Sequence, residues 1–520
     1  MKNVYILLSL LTVIFTSCFD DEGNYTYENI GEIVIEGIEE SYDCELGSIL
    51  EIDPKITSEY TDLQYEWYMW DISKEDNLTN NNVGAIEGYE AELISTEKKL
   101  SFEVQCPAAR YTIMLKVYSA SSGYFSTAST RFDATSEFSR GFYILKETAD
   151  GNTELDLGIT SGQPVKSNLF QITGQEPMMG KPLYLSHVAS HSFINTAGDI
   201  EGAHTVCVTT EEGDLGFYET KSLLKVHDRS NVMSGESMTG DQKAYAAFTT
   251  YACNIMLTNT GSWINYVYGM MPTSGAFYMH GTGTNGGSQF LFTDMKGANL
   301  FFWDEQNHCV ANSDAVSFGQ GNGVYDNNGY STDGMDCLAC GAVQALNKGY
   351  FLLEDASGKR YLHEVLMSPS DDKKFKATNH IELDPNSKFA QATEFATNEL
   401  TTAYIYFIYN NQLYIYNLST NKEEDAPVTL EGISSDETIT YLAYQWQDYR
   451  NASVETDTNF TYLVVGTQKG DTYRLYMYSI ESGRPKSLKE TYEGNGKLKM
   501  CLYVTPVDFS YGYSTYSLTN

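Results

Sequence analysis

The sequence has little positive charge and few segments with a helical period. Lys and Arg total 33 against 69 Asp and Glu, so the formal net charge at pH 7 is -36. A chain this acidic repels nucleic-acid phosphates, and nucleic acid is therefore excluded as a predicted partner. Short runs of Val, Ile, Tyr, Phe and Thr recur instead, separated by Gly, Asn and Asp. This pattern predicts an all-β protein.

Recognisable catalytic motifs are also missing. The Gly-x-Ser-x-Gly turn of serine hydrolases does not occur, and no glycine-rich phosphate loop precedes a helix. The Asn- and Asp-rich segment 326–336 lacks the ligand spacing and the terminal Glu of a calcium loop. We therefore predict no catalytic residue, no metal site and no cofactor.

Cysteine and histidine pairs do not complete a metal motif. Cys337 and Cys340 have the spacing of a zinc knuckle, but no second Cys-x-x-Cys accompanies them. His187 and His191 are four residues apart, yet Val188 stands where a zinc-protease motif has Glu. The 9 cysteines are widely spread, which argues against a small disulfide scaffold and leaves any pairing open.

The length and the N-terminus indicate an exported protein of several domains. A chain of 520 residues is too long for one compact core. Lys2 precedes an apolar run from Val4 to Thr16, which is too short to span a bilayer comfortably. We predict that residues 1–17 form a signal peptide.

A lipidation motif follows this run. Phe-Thr-Ser-Cys, ending at Cys18, resembles a lipobox, where bacterial signal peptidase II cuts before a cysteine that becomes lipidated. Phe15 stands where Leu is usual. The acidic residues 20–22 resemble the export signal of surface lipoproteins of the Bacteroidota. The resemblance implies a lipid on Cys18, a tether over residues 18–30 and a position at the cell surface on the outer membrane. An ordinary secretory signal with an incidental cysteine is the alternative.

Residues 31–137 carry the alternation of a β-sandwich. Alternate residues of segments 65–70 and 111–117 form apolar faces, which favours an immunoglobulin-like sandwich. Trp67 fits the position of the buried tryptophan in such a sandwich, and Tyr111 fits the position of its corner tyrosine. The segment resembles a PKD (polycystic kidney disease) domain. Together with the start Asp-Asp-Glu-Gly-Asn-Tyr-Thr-Tyr, it is similar to the PKD-like lipoprotein family of Bacteroidota.

Residues 138–520 repeat one hairpin, in which an apolar strand, a polar turn and a second strand follow each other, as in YFLLEDASGKRYL from Tyr350. The turns fall at Gly151, Gly213, Gly261, Gly297, Gly358, Asn411 and Gly470. A spacing of about 50 residues matches a four-stranded blade with its loops and predicts a β-propeller of about seven blades. The spacing is uneven, which leaves six or eight blades open. A series of separate β-sandwiches is the alternative.

One segment suggests a binding surface. Trp446, Tyr449 and Arg450 group two aromatic residues and an arginine, which are residue types that bury large areas at interfaces. We predict that they contact a ligand. The alternative is that Tyr444 and Trp446 are core residues of a blade.

The family resemblance implies a role in nutrient uptake. Similar lipoproteins are accessory partners of SusC/SusD-type importers, in which a TonB-dependent barrel is capped by a surface lipoprotein. The implied partners are the importer complex, other surface lipoproteins, the outer membrane and a small oligomeric nutrient, with an oligopeptide slightly favoured over a glycan. We therefore expect a non-catalytic binding protein. A propeller hydrolase or lyase that acts on the same nutrient is the alternative, because catalytic residues scattered over blades leave no motif.

Overall fold

A computed structural model of the chain describes residues 31–71, 91–106, 109–194, 200–235, 237–249, 253–266, 274–280, 286–294, 299–314, 325–368, 375–447 and 460–504. The chain divides into two compact units, Met1–Ala134 and Thr135–Asn520. The domain bounds expected from the sequence, 31–137 and 138–520, stay a prediction. Within the described ranges, no helix is long and apolar enough to cross a membrane.

The first unit is built from antiparallel β-strands. They are β1 (Ile33–Glu36), β2 (Ser41–Glu45), β3 (Ile49–Ile52), β4 (Lys55–Ser58), β5 (Leu63–Asp71), β6 (Glu92–Ser95), β7 (Leu100–Glu103), β8 (Ala109–Ser119) and β9 (Phe125–Thr135). A five-stranded sheet has the order β2-β9-β8-β5-β6, and two-stranded sheets are formed by β1 with β4 and β3 with β7.

The core of this unit follows the alternation seen in the sequence. Trp67 is 0% exposed, and its indole Nε1 donates a hydrogen bond to the carbonyl oxygen of Glu97 at 3.0 Å. Tyr111 is buried and packs against Phe132, with ring centroids 6.1 Å apart. Apolar residues of β1, β3 and β7 complete the same cluster, so two layers of strands enclose one core.

The second unit is also nearly all β. Its first strands are β10 (Gly141–Glu147), β11 (Thr153–Gly158), β12 (Pro182–Ile194), β13 (Ile200–Thr210), β14 (Leu215–Glu219), β15 (Lys225–Asp228), β16 (Ala244–Thr249), β17 (Cys253–Thr258), β18 (Gly261–Tyr266), β19 (Met279–His280), β20 (Leu291–Thr293), β21 (Asn299–Asp304) and β22 (Cys309–Asp314). The others are β23 (Asp336–Val343), β24 (Lys348–Glu354), β25 (Arg360–Leu366), β26 (Ala377–Glu382), β27 (Phe395–Thr397), β28 (Tyr404–Tyr409), β29 (Gln412–Asn417), β30 (Lys422–Glu423), β31 (Thr438–Gln447), β32 (Phe460–Lys469), β33 (Thr472–Glu481), β34 (Arg484–Asn495) and β35 (Lys497–Val504). One α-helix, α1 (Leu169–Ile172), and two 3₁₀ turns, Gln344–Leu346 and Phe389–Gln391, are the helical elements of the described residues.

Within the described residues, these strands form seven consecutive sheets, which are the blades of a propeller. Blade 1 has the order β35-β10-β11, and blades 2 to 7 are β12–β15, β16–β19, β20–β22, β23–β26, β27–β30 and β31–β34. Neighbouring blades contact each other through β12 and β16, β20 and β23, β23 and β27, and β27 and β31, and β35 contacts both β31 and β12. The predicted fold class, a β-sandwich followed by a propeller of about seven blades, is confirmed.

The ring is closed by the two ends of the propeller. The inner strand of blade 1 is β35, from the C-terminal part of the chain, and it pairs antiparallel with β10 from Gly141↔Val504 to Glu147↔Lys497. Closure pairs the inner edge of β10, which would otherwise offer free N–H and C=O groups.

The repeated hairpin matches the second and third strands of most blades. Gly358, for example, lies in the turn between β24 and β25 and has φ +81°, a conformation that favours glycine. Asn410 and Asn411 turn β28 into β29 with φ 48° and 60°, as the sequence predicts. The copy around Gly297, itself outside the described residues, instead joins β20 and β21, the first two described strands of blade 4. Because this hairpin lies one strand earlier in its blade than the others, the intervals between the turns on either side of Gly297 are unequal.

Candidate functional site

The residues proposed from the sequence as ligand contacts are only partly described. Trp446 lies on β31, and its half-buried side chain packs against the apolar cluster between blades 6 and 7. Its neighbour Tyr444 is 0% exposed within that cluster. Tyr449 and Arg450, like Cys18, lie outside the described residues. Contact of Trp446, Tyr449 and Arg450 with a ligand therefore stays a prediction.

A different surface with aromatic residues lies on the first unit. In β5 and β8 the odd-numbered residues Trp67, Met69, Ile113 and Leu115 are buried, so the even-numbered residues point away from the core. Strand pairing places Tyr118 opposite both Gln64 and Phe125, and Lys116 opposite Glu66. We call this outward surface the Glu66 face, and its members are Gln64, Glu66, Tyr68, Lys116, Tyr118 and Phe125.

Glu66 holds the side chains around it. The Lys116 Nζ donates to Oε2 at 3.1 Å, and the Tyr68 hydroxyl donates to the same oxygen at 2.9 Å. The Tyr118 hydroxyl donates to Oε1 at 3.3 Å. Both tyrosine rings therefore lean toward the carboxylate along the sheet. Because both hydroxyls are hydrogen-bonded to Glu66, the two tyrosine rings are positioned before any ligand binds.

A cation lies beside the rings of this face. The Lys116 Nζ is 5.0 Å from the ring centroid of Tyr118 and 5.8 Å from that of Phe125, within the range of cation–π attraction. Phe125 is 47% exposed, so part of its ring is accessible to a ligand. The face thus combines ring surface with one positive and one negative group.

The carboxylate of this face is held in its ionised form. Partial burial raises the pKa of Glu66, but the hydrogen bonds from Lys116, Tyr68 and Tyr118 together outweigh burial, so the pKa lies below its ordinary value. Burial and the bond to Glu66 raise the pKa of Tyr68, which remains a neutral donor at pH 7. At neutral pH the face presents an ionised acceptor between two phenols.

The sequence also contains residues that indicate this face, but they alternate with the buried residues that predict the sandwich core. Tyr68 and Tyr118 alternate with core residues in strands whose two faces are both rich in large side chains. The inward set alone is enough to predict the sandwich. Outward aromatic residues on neighbouring strands would have indicated the surface, but strand register is needed to bring Tyr118 beside Phe125 and Glu66.

The propeller buries histidines instead of exposing them. His187 and His191 lie on β12, a strand and not a helix, and are 0% and 1% exposed. The Nδ1 of His204 lies 3.3 Å from the Nε2 of His187. His191 contacts the hydroxyl of Thr205 at 3.0 Å and the carbonyl oxygen of Gly275 at 3.2 Å. These contacts give both ring nitrogens of His191 a partner, one in blade 2 and one in the segment between β18 and β19 of blade 3, which indicates a structural role.

A second histidine pair lies in blade 5. The hydroxyl of Tyr325 is 2.6 Å from the Nε2 of His363, and the Nδ1 atoms of His363 and His380 are 3.0 Å apart. The ring of His380 stacks on Tyr361 at a centroid distance of 4.9 Å. Burial, followed by the neighbouring His380, lowers the pKa of His363 to about 3.

The described residues offer no metal centre. Within them, no group of three or more His, Cys, Asp or Glu side chains is placed to hold a metal ion. Cys337 and Cys340 are buried on β23 against the cluster between blades 4 and 5. None of the eight cysteines in the described ranges forms a disulfide.

The buried histidines predict an acid-sensitive propeller. Burial lowers the pKa of His191 to about 3, as it does for His363, so both stay neutral when folded. Histidines of the unfolded chain take up protons below about pH 6.5, so acid favours unfolding. We expect the free energy of unfolding, measured in urea, to fall by roughly 2–4 kcal/mol for these two groups between pH 7 and pH 5.

The control is the double variant His191→Gln/His363→Gln, which should have a flatter pH dependence whatever its absolute stability. All 8 histidines lie in the second unit, so the first unit supplies none of this effect. An unchanged pH dependence in the double variant would show that these histidines are not the cause.

The fold and the Glu66 face define a two-unit all-β protein, a sandwich with an outward aromatic surface followed by a seven-bladed propeller. Residues 18–182 match the model of the PKD-like family. This match covers the sandwich and the first strands of the propeller, and it confirms the PKD-like recognition for that part of the chain. No curated protein sequence matches the chain.

Solved structures resemble the chain only distantly. A quinonprotein alcohol dehydrogenase-like protein from Bacteroides thetaiotaomicron is 15% identical, over 89% of this chain and 96% of that protein, with a TM-score of 0.40. AztD from Citrobacter koseri is 9% identical over 84% and 100%, with a TM-score of 0.32. The WD40 domain of SCAP from fission yeast is 9% identical, over 71% of this chain and 73% of that domain, with a TM-score of 0.24. None of these scores reaches 0.5, so the similarities say nothing about activity.

Proposed function

We propose that the protein is a non-catalytic surface lipoprotein that binds a nutrient for a SusC/SusD-type TonB-dependent importer of the outer membrane. The observation that carries this proposal is the Glu66 face, on which the exposed ring of Phe125 lies beside two half-buried tyrosine rings whose hydroxyls are hydrogen-bonded to Glu66. Such pre-positioned rings suit binding, because little side-chain entropy is lost when a ligand arrives.

The N-terminus supports the lipoprotein part of the proposal. The PKD-like match begins at residue 18, the cysteine before which the lipobox-like motif would be cut. A lipid on Cys18 would anchor the chain to the outer membrane beside the importer and other surface lipoproteins. Tethering raises the local concentration of the chain at the importer even where their contact is weak.

The importer contact is tested by affinity purification. The full-length tagged chain is solubilised from its own cells in mild detergent, and the proteins that elute with it are identified. We expect a TonB-dependent barrel and its capping lipoprotein. Elution without an outer-membrane barrel would contradict the importer role. Turnover of oligosaccharides or oligopeptides by the purified chain, abolished by a single carboxylate substitution, would instead establish the hydrolase or lyase alternative.

Replacing the lipidated residue should release the chain from the membrane. In Cys18→Ala we expect fatty-acid labelling to disappear and the protein to leave the membrane fraction, because one thiol is the attachment point. Cys44→Ala is the matched control and should stay labelled and membrane-bound. If Cys18→Ala were labelled like the wild type, lipidation at this residue would be ruled out.

A further inference from the structure

The strand at the centre of the Glu66 face is an interior strand. β8 pairs with β5 on one side and with β9 on the other along its length. An extended peptide binds a sheet by adding a strand at an edge, where N–H and C=O groups are free. A ligand that lies over Lys116 and Tyr118 of β8 is therefore held by side chains.

The side chains of this face form an alternating surface. Tyr118 and Phe125 lie directly opposite each other on β8 and β9. The Glu66–Lys116 pair is the next row along the sheet, and Tyr68 follows on β5. Along the sheet, a row with two aromatic rings is thus followed by the ion pair and then by a further aromatic ring. A chain of pyranose units matches this alternation, since each unit has an apolar C–H face and a rim of hydroxyl groups.

Glu66 retains capacity for another hydrogen bond. A carboxylate has about four lone-pair sites, and the three donors Lys116, Tyr68 and Tyr118 occupy three of them. Two donors bind Oε2 and one binds Oε1, which leaves Oε1 able to accept a hydroxyl. The side chain of Gln64, opposite Tyr118, is exposed. Its Oε1 accepts from the Tyr118 hydroxyl at 3.4 Å, and its amide nitrogen can donate to a ligand.

Charge limits the class of glycan. The formal net charge of -36 repels polyanions at long range. On the face itself, Lys116 is already paired with Glu66 at 3.1 Å, so its charge is largely compensated. An acidic glycan would therefore be repelled by the net negative charge of the protein, and Lys116 would offer it little compensating attraction.

We infer that the Glu66 face binds a neutral glycan chain, with sugar rings stacked on Phe125 and Tyr118 and a hydroxyl donated to Glu66. This inference rests on the proposed nutrient-binding role and specifies its ligand. It replaces the oligopeptide preference, which came from family resemblance alone.

The test measures binding of the full mature chain to four neutral polysaccharides, namely amylopectin, xylan, mixed-linkage β-glucan and galactomannan, by affinity electrophoresis. Polygalacturonate and a casein digest represent acidic glycans and peptides. We expect retention by at least one neutral polysaccharide and at least a ten-fold loss of affinity in Phe125→Ala. Phe125 is 47% exposed, so this variant should fold like the wild type. Tyr118→Ala should have an effect of similar size.

Ile49→Ala is the matched control and should bind like the wild type, because Ile49 is 61% exposed on β3 of the same unit and lies outside the Glu66 face. Binding to none of the neutral polysaccharides, or binding only to the casein digest or to polygalacturonate, would overturn the inference. Loss of glycan binding in Trp446→Ala but not in Phe125→Ala would move the site to the propeller and also overturn it. A chain that binds no glycan but elutes with the importer would leave the proposed function intact, whereas glycan binding without the importer would remove only the importer role.

Discussion

A chain that ends at Gly496 is expected to lose the cooperative unfolding transition of its propeller. The truncation removes β35, the inner strand of blade 1, and leaves the inner edge of β10 unpaired. It also removes five buried apolar side chains, Leu498, Met500, Cys501, Leu502 and Val504. At about 1.5–3 kcal/mol for each buried side chain, the loss approaches the whole stability of a typical domain.

The matched control is a chain that ends at Val504, which retains all of β35. We expect it to unfold cooperatively, like the full chain, in a calorimetric or urea melt followed by tryptophan fluorescence. The chain that ends at Gly496 should instead give a broad, non-cooperative signal for the second unit. A cooperative propeller transition in this shorter chain would mean that the propeller folds without the inner strand of blade 1.

Asp156→Ala is expected to lower the free energy of unfolding by about 3–5 kcal/mol. The Asp156 carboxylate contacts the Lys146 Nζ at 2.7 Å, and the two side chains are 0% and 3% exposed. It also accepts hydrogen bonds from the Tyr473 hydroxyl at 2.6 Å and from the backbone N–H of Asn168 at 2.8 Å. Since Tyr473 belongs to blade 7, the carboxylate joins the first and last blades. Its removal leaves a buried ammonium and a buried hydroxyl without this partner.

A second ion pair in the same blade supplies the control. Lys497 contacts Glu147 at 2.8 Å, but the lysine side chain is 67% exposed. Lys497→Ala should therefore change the free energy of unfolding by no more than about 1 kcal/mol. The double variant Lys146→Met/Asp156→Leu should recover much of the loss, because it leaves no buried charge. Equal effects for Asp156→Ala and Lys497→Ala would show that burial of the Asp156 pair contributes little.

The sequence predicts local structure in both units because their patterns are short in range. Alternation in β5 and β8 identifies Trp67 and Tyr111 as buried, and polar turns such as Asn410–Asn411 locate the hairpins. Blade number is harder to predict. The turn at Gly297 has the same sequence pattern as the other six, but it connects the first two described strands of its blade and not the second and third. A hairpin pattern does not show which two strands of a blade it joins.

Long-range pairing is the part that the sequence conceals. β35 has an ordinary alternating pattern, and nothing in it specifies β10 as the partner. The Glu66 face depends in the same way on the register that sets Tyr118 beside Phe125. The composition of the segment around Trp446 suggests a binding surface, yet the Trp446 side chain is half-buried against the core between blades 6 and 7. Composition suggests a binding residue, but only burial and register decide whether the side chain is available.

The origin of the closing strand also sets an order of events during synthesis. Lys497 pairs with Glu147, which the ribosome adds 350 residues earlier. At about 5–20 residues per second, β10 waits roughly 20–70 s for its inner neighbour, while the strands of the sandwich have all been made. During that interval the open edge of β10 can pair with other nascent chains. A chaperone that keeps this chain soluble should therefore act on an incomplete ring and release it once the last strand has been made.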